Sequence, residues 1–414
     1  MNTDTLKICL MSYRSNPHSG GQGVYLKNLS RALKDLGHDV TVVTGPPDPR
    51  LDEDIPVLRV PCLDLYNPEA LFRVPTLSEL SRPVNLIEWL GISTTGFPEP
   101  FTFGLRAYRL LAYHHNGYDI VHDNQSLSYG VWAIGRKIPT VATIHHPVTV
   151  DRDLAMRSVS ALWKKIKHLR WHSFIRMQKM VARTLTRIIT VSDNARRDIS
   201  RDFLIPEDRF RVVSNGIDLK RFHPMPEIPR QKNRIIATNS SDTPLKGLRY
   251  LIQAVGRIAA HRPVQLQIVG ECTKGGGVDR LIRSLGIGPA VRFTGRISHS
   301  DFVREYAKAS VAVVPSVYEG FGLPVGEAMA CGVPVISTTG GALPEVVGDA
   351  GILVPPADSE ALAHAILSII DHPERAAKLG RAGRERVQQR FTWRQAAENT
   401  VAVYREVIGD HHRF

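Results

Sequence analysis

Cysteine is scarce in this chain: Cys9, Cys62, Cys272 and Cys331 are the four among 414 residues, and no two form a C-x-x-C pair. A disulfide framework or a cysteine-rich zinc site is therefore not expected, and a reducing cytosol fits. Long apolar runs are also missing. None approaches the roughly 20 residues that a membrane-spanning helix needs. Met1-Asn2-Thr3-Asp4 carries no basic stretch and no long apolar run follows it, so no secretory signal is expected. Glycine, at 32, and proline, at 27, show no excess, which excludes collagen-like and low-complexity chains. With 43% hydrophobic and 22% charged residues, wholesale disorder is excluded too. At roughly 100–200 residues per domain, the length suits two or three folded domains.

Acidic residues are the minority charge. Lys plus Arg is 53 and Asp plus Glu is 40, a net +13. Residues 151–190 hold ten Lys/Arg and two Asp, so +8 of that excess sits in about a tenth of the chain. A basic stripe suits nucleic acid, an anionic membrane or phosphate groups, and its sign does not choose among them. The stripe has no aromatic RNA-stacking motif and no zinc-finger spacing, so a nucleic-acid partner is not expected.

Short apolar runs alternate with helical periodicity along the chain. Strands are predicted at Lys7–Tyr13, Asp39–Gly45, Val57–Pro61, Asp119–Asn124, Pro139–His146, Arg187–Ser192 and Phe210–Gly216. Runs such as Val40-Thr41-Val42-Val43 suit parallel strands covered on both faces. Tyr25–Leu36 carries Leu26, Leu29 and Leu33 at helical spacing. Phe222–Arg230 then holds three prolines in six residues and reads as a linker. Alternation resumes at Arg234–Asn239, Gln265–Gly270, Val291–Gly295, Val311–Ser316, Val333–Thr339 and Gly351–Pro355. The expected fold is α/β, with two Rossmann-like doubly wound domains facing across a cleft and ligands bound beyond the strands' carboxyl ends. The expected organisation is an N-terminal domain over 1–222, a Pro-rich hinge over 223–232, a C-terminal domain over 233–392, and a last helix over 393–414 returning toward the first domain.

More than fifty residues separate the strands at Val57 and Asp119, with Tyr66, Phe72, Trp89, Phe97, Phe101 and Phe103 among them. Two readings stand for this segment: an inserted helical pair with its own small core, or an acceptor-facing lobe. Within Leu154–Ile188, Leu162, Ile166, Leu169, Met180, Leu185 and Ile188 recur near helical spacing, so this face is expected to bury against the N-terminal domain. The lysines, arginines and tryptophans between them suit either a solvated face whose tryptophans pack inward or a helix docking reversibly on an anionic inner membrane face.

The segment richest in chemistry runs from Glu319 through Gly320, Phe321, Gly322, Leu323, Pro324 and Gly326 to Glu327. Pro324 suits a first helical turn, and a helix start after a Gly-rich turn offers free N–H groups to phosphate. A carboxylate beside such a site needs another partner, and sugar hydroxyls fit. Asp52-Glu53-Asp54 spells a metal-binding D-x-D on a polar connection and reads as solvated. The adjacent His145 and His146 would point to opposite strand faces, which argues against a metal pair. After the first strand the chain reads Gly20-Gly21-Gln22-Gly23, not the G-x-G-x-x-G of a dehydrogenase.

Glu319-x7-Glu327, the following Gly340-Gly341-x-x-Pro344-Glu345, the Gly20–Tyr25 loop and Ser214-Asn215-Gly216-Ile217-Asp218 together resemble glycosyltransferase family 4 over nearly the whole chain. The resemblance implies the GT-B fold and a retaining hexosyl transfer from a nucleotide-diphosphate sugar (a UDP- or GDP-sugar) to a glycan, lipid or small-molecule hydroxyl. It implies no cofactor and no bound metal. An epimerase or hydrolase of the same fold is the alternative. Carried over residue by residue, the resemblance gives Glu327 the ribose hydroxyls and Glu319 the donor sugar. Backbone N–H groups at Phe321, Gly322 and Leu323 would meet sugar and phosphate oxygens, with Gly20 and Gly21 in the opposing loop. Arg296 falls where backbone meets the base, Lys246 matches the diphosphate lysine, and His145 of Thr143-Ile144-His145 would sit near the donor sugar. Ser241 stands where the family usually has a second cation, so the clamp on the diphosphate departs from the pattern. Glu345 reads either as part of this site or as a helix cap. A cytoplasmic protein, with or without contact at the inner membrane face, is the expected location.

Overall fold

The computed structural model describes residues 5–16, 21–65, 67, 73–112, 117–157, 159–238 and 244–411. Gly20, Tyr66, Phe72, Ser241 and its neighbours Asn239 and Ser240 lie outside the described residues. Two compact units form. One comprises Met1–Val191, Ala195–Val213 and Trp393–Phe414; the other comprises Ser192–Asn194 and Ser214–Thr392.

The first unit is built on strands β1 (Lys7–Ser12), β2 (Asp39–Thr44), β3 (Val57–Arg59), β4 (Ile120–Asn124), β5 (Thr140–Ile144), β6 (Ile188–Thr190) and β7 (Phe210–Val212). They form one parallel sheet in the order β3-β2-β1-β4-β5-β6-β7. Its helices are α1 (Gly21–Asp35), α2 (Leu77–Leu80), α3 (Pro83–Ser93), α4 (Glu99–Ala112), α5 (Tyr129–Gly135), α6 (Val148–Arg157), α7 (Leu162–Trp171), α8 (Ile175–Ala182) and α9 (Asp193–Phe203). The pleat sorts β1 between two cores. Ile8 and Leu10 pack with Leu26 and Leu33 of α1 and with Val401 and Tyr404 of the C-terminal helix, Trp393–His411. Cys9 and Met11 face Phe103, Ala107 and Leu111 of α4. Both faces are therefore covered, which is why these strands read as continuous apolar runs.

The second unit carries β8 (Arg234–Thr238), β9 (Gln265–Val269), β10 (Val291–Phe293), β11 (Val311–Val314), β12 (Val335–Thr338) and β13 (Ile352–Val354). These also pair in parallel, in the order β10-β9-β8-β11-β12-β13. Helices α10 (Leu248–Ala259), α11 (Gly277–Ser284), α12 (His299–Lys308), α13 (Leu323–Ala330), α14 (Leu343–Val347), α15 (Ser359–Ile370) and α16 (Pro373–Arg390) complete it. In both sheets the order reverses once, between β1 and β4 and between β8 and β11, and the reversal opens a crevice at the carboxyl ends.

Every strand lies within its expected run but is shorter: Pro139–His146 contains a strand of only Thr140–Ile144, which ends before His145 and His146. The division between units falls after Val213, so the Pro-rich stretch groups with the second unit. There Phe222 is buried against Phe302 and Tyr306. Two expectations need correction. The segment between β3 and β4 is helical but, among the described residues, forms no separate apolar core. Helix α3 buries only Val84 and Glu88, and Glu88 is tied to Arg106 of α4 by an ion pair of 2.5 Å. Nor does Leu154–Ile188 bury one continuous face. A 3-10 turn at His172–Phe174 separates α7 from α8, which breaks the periodicity. Leu185 and Ile188 are buried, while Leu162, Ile166, Leu169 and Met180 are exposed.

Candidate active site

In the second unit, Lys246 follows β8 and Glu319 follows β11, so they flank the reversal of strand order. Lys246 Nζ lies 2.8 Å from Glu319 Oε1, and Ser316 Oγ donates to the same oxygen at 2.8 Å. The lysine ends a 3-10 turn, Pro244–Lys246, and Gly247 behind it has φ of +65°. A Cβ on Gly247 would stand 2.0 Å from the Pro315 carbonyl, so only glycine lets the two loops approach this closely. Val317 N–H donates to Leu245 O at 2.8 Å and locks that contact. The Gly340–Gly341 turn after β12 presses on the other side. A Cβ on Gly341 would lie 2.3 Å from the Glu319 carbonyl, which also accepts the Ala342 N–H at 2.9 Å.

Helix α13 starts directly after this turn. Gly322 caps it with φ of +100°, and Pro324 occupies its first turn. Pro324 has no N–H and Val325 N–H turns back to Gly322 O at 3.0 Å, so it is the Leu323 amide that is left to face a ligand at the positive end of the helix dipole. The Phe321 side chain is buried edge-on against Phe391, so it anchors the loop while its backbone forms the turn. Glu327 lies one turn further along. Burial raises its carboxyl to about 7, partly offset by the positive charge of Arg221. Asp218 Oδ1 accepts the N–H groups of Lys220 and Arg221, each at 3.1 Å, and fixes the turn that presents that arginine. Arg221 also contacts His299 and lies over the Phe222 ring at 4.9 Å. Arg221 escaped the sequence reading. Its signal was a cation three residues beyond the Gly216-Ile217-Asp218 run.

Arg296 sits past β10 with its side chain in solvent, 3.4 Å from Glu271. Its backbone is set by the Gly270–Gly295 bridge. Glu345 does not cap its own helix: within the second unit its carboxylate accepts from Asp193 N at 2.8 Å and Asn194 N at 2.7 Å.

In the first unit, α1 opens at Gly21 directly beyond β1, and His145 follows β5. Asn124, the last residue of β4, joins them. Its Nδ2 donates to Gln22 O at 3.2 Å and to Ser12 Oγ at 3.3 Å, and its Oδ1 lies 2.8 Å from His145 Nε2. Gln22 O can only accept, so the amide nitrogen must face it and Oδ1 must face the ring. His145 therefore carries its proton on Nε2 and keeps Nδ1 as an acceptor. Burial lowers its imidazole to about 3, so it stays neutral. Its own N–H donates to Gln125 Oε1 at 2.8 Å, and the Tyr25 ring meets it edge-on at 4.7 Å. Behind it, Thr143 Oγ1 lies 2.9 Å from Tyr25 OH and 2.7 Å from His122 Nε2, and His122 Nδ1 lies 2.7 Å from Tyr404 OH. Asn124 was missed because it belongs to no motif; its position at a strand end beside the reversal was the available signal. His146 instead pairs with Asp151 at 2.7 Å. Asp52 and Asp54 are occupied by Arg31, and Asp54 also by Lys34 at 3.1 Å.

Two parallel sheets, each with its chemistry at the carboxyl ends, together with the matches that follow, define the class: the chain belongs to the family 4 glycosyltransferases of GT-B fold. Residues 19–221 match the family described as Glycosyltransferase Family 4, and residues 232–372 match Glycosyl transferases group 1. Among individual relatives, an MMP alpha-(1->4)-mannosyltransferase of Mycolicibacterium hassiacum is 44% identical over 97% of this chain and 98% of its own. A GDP-mannose-dependent monoacylated alpha-(1-6)-phosphatidylinositol monomannoside mannosyltransferase of Corynebacterium glutamicum is 34% identical over 47% of this chain and 55% of its own. Among solved structures, sucrose-phosphate synthase from Thermosynechococcus elongatus superposes with a TM-score of 0.76 at 26% identity, covering 98% of this chain and 100% of that one.

Proposed function

We propose that this glycosyltransferase moves an α-mannosyl group from GDP-mannose to a hydroxyl of a glycan or lipid-linked acceptor, with retention at the anomeric carbon. The observation that carries the reading is the Lys246–Glu319–Ser316 cluster at the strand reversal, with the α13 start and Glu327 beside it. A cation, the helix-start amide of Leu323 and two carboxylates eight residues apart match the parts of a nucleotide-diphosphate sugar. Lys246 and the backbone N–H groups of Gly322 and Leu323 meet the diphosphate, Glu327 takes the ribose diol, and Glu319 takes sugar hydroxyls while holding Lys246 in place. Arg221 keeps Glu327 able to ionise. His145 offers its Nδ1 to a sugar hydroxyl. The mannose and guanine assignments draw support from the names of the two mannosyltransferase relatives, and the first linkage to test is α-(1→4).

In the reaction the bond from C1 to the phosphate oxygen breaks and the acceptor oxygen bonds C1 from the same face. The acceptor proton passes to the departing phosphate oxygen, giving the mannoside and GDP. The charge that grows on the diphosphate is met by Lys246 and by backbone donors, and the rest of the catalysis is orientation. A panel of GDP-, UDP- and ADP-sugars scored for binding and slow hydrolysis tests the donor. GDP-mannose should bind most tightly. Preference for another base or sugar overturns that assignment, and full-rate turnover without acceptor would make the protein a hydrolase or epimerase.

A further inference from the structure

Helix α7, Leu162–Trp171, buries none of its residues. Leu162 is 72% exposed, Trp163 65%, Ile166 57% and Leu169 49%. At about 100° per residue these four side chains fall within an arc of about 120° on one face. Lys165 and Lys167 border that arc on its two sides, Arg170 falls within it at the C-terminal end, and Lys164 on the far face completes four positive charges on a helix without a carboxylate. Single exposed apolar residues are ordinary, but an apolar face of this size flanked by lysines is not. The C-terminal end of the helix is pinned. Trp171 stacks on Phe97 at 5.1 Å, and Arg170 Nη2 donates to Thr94 Oγ1 at 2.9 Å. Thr94 follows α3, which has an exposed apolar face of its own at Leu86, Ile87 and Leu90.

We propose that α7, with the neighbouring face of α3, docks this enzyme reversibly on an anionic lipid bilayer. The geometry is that of an interfacial helix, with apolar side chains entering the headgroup boundary and lysines on the phosphates. Charge complementarity selects this occupant. A second copy of the chain would set four positive charges against four, and a neutral sugar polymer would leave the lysines unpaired. The proposal is independent of the donor chemistry, because the surface carries none of the donor-site residues.

The test is co-sedimentation of the full chain, without donor, with vesicles of phosphatidylcholine alone or with about a third phosphatidylglycerol. Binding is expected only to the anionic vesicles, and it should weaken as salt rises. Each lysine near an anionic surface accounts for about a fivefold change in partitioning, so Lys164→Glu, Lys165→Glu and Lys167→Glu together should lose on the order of 100-fold or more. Ile166→Ala with Trp163→Ala should lose binding while keeping its salt dependence. Trp163, Lys164, Ile166 and Lys167 are exposed and Lys165 is half-buried, so unchanged thermal unfolding verifies the fold of each variant. No binding at low salt, equal binding to neutral vesicles, or full binding by the triple variant overturns the proposal. A dimer on gel filtration that the same substitutions dissolve would assign the face to a second copy and overturn it equally.

Discussion

Glu327 offers the sharpest quantitative test, because its proton and the donor compete for one group. Its carboxyl is raised to about 7 by burial, with Arg221 as the partial counterweight. A ribose diol donates two hydrogen bonds, and only the carboxylate accepts both. The sign follows: donor binding strengthens as pH rises through 7 and weakens below it. With that value, about 9% of the protein is competent at pH 6 and about 91% at pH 8, so the apparent Kd should fall roughly tenfold between them. About half a proton should leave per donor bound at pH 7. GDP-mannose is the right ligand, because its diphosphate is a diester with no proton to exchange near neutrality. The assay is isothermal titration calorimetry without acceptor, in buffers of different ionisation enthalpy, from pH 6 to 8. Glu327→Gln should flatten the pH profile, abolish the proton release and weaken binding at pH 8 by about 10- to 150-fold, the worth of a charged hydrogen bond. A proton release that survives in Glu327→Gln would refute the reasoning.

Lys246→Ala should lower kcat by about 10²–10³-fold while changing GDP affinity much less, because the charge that it meets develops in the transition state; steady-state kinetics beside GDP titration separate the two, and an unchanged kcat removes the lysine from the chemistry. Gly247→Ala should destabilise the second unit by about 1–2 kcal/mol from the left-handed backbone alone, with the clash on Pro315 adding to it; a thermal midpoint equal to the parent's would contradict that packing. Asn124→Asp should place a carboxylate against His145 Nε2, hold the imidazolium and create a new acid limb in the pH profile of kcat/KM. In the parent, 15N shifts should show a neutral Nε2–H ring from pH 5 to 8, and a charged ring there would contradict the network drawn from Gln22.

The two sheets were legible because each strand is covered on both faces, and that coverage writes a continuous apolar run such as Val40–Val43 into the sequence. The Glu319–Ala330 segment was legible for a similar reason, since a turn at φ of +100° needs Gly322 and a helix start tolerates Pro324. What stayed hidden depends on partners distant in sequence. Lys246 and Glu319 are 73 positions apart, and their ion pair exists because β8 and β11 are neighbours in the sheet. Asn124 is one polar residue at a strand end, and nothing local distinguishes it from a loop residue. The exposure of α7 was misjudged because periodicity reports which residues share a face, not whether another element covers that face. The proline count at 222–230 reads as a linker, and the structure groups that stretch with the second unit, where Phe222 is buried.

The most direct test of the central claim is transfer from GDP-mannose to a short α-(1→4)-linked mannose oligosaccharide, with the new anomeric centre read by one-bond carbon–proton coupling in the NMR spectrum of the product. The account predicts an acceptor-dependent product carrying one additional α-mannosyl residue, formed by the parent and nearly absent with Glu319→Ala. A β-linked product, release of free mannose at the same rate without acceptor, or full transfer by Glu319→Ala would contradict it.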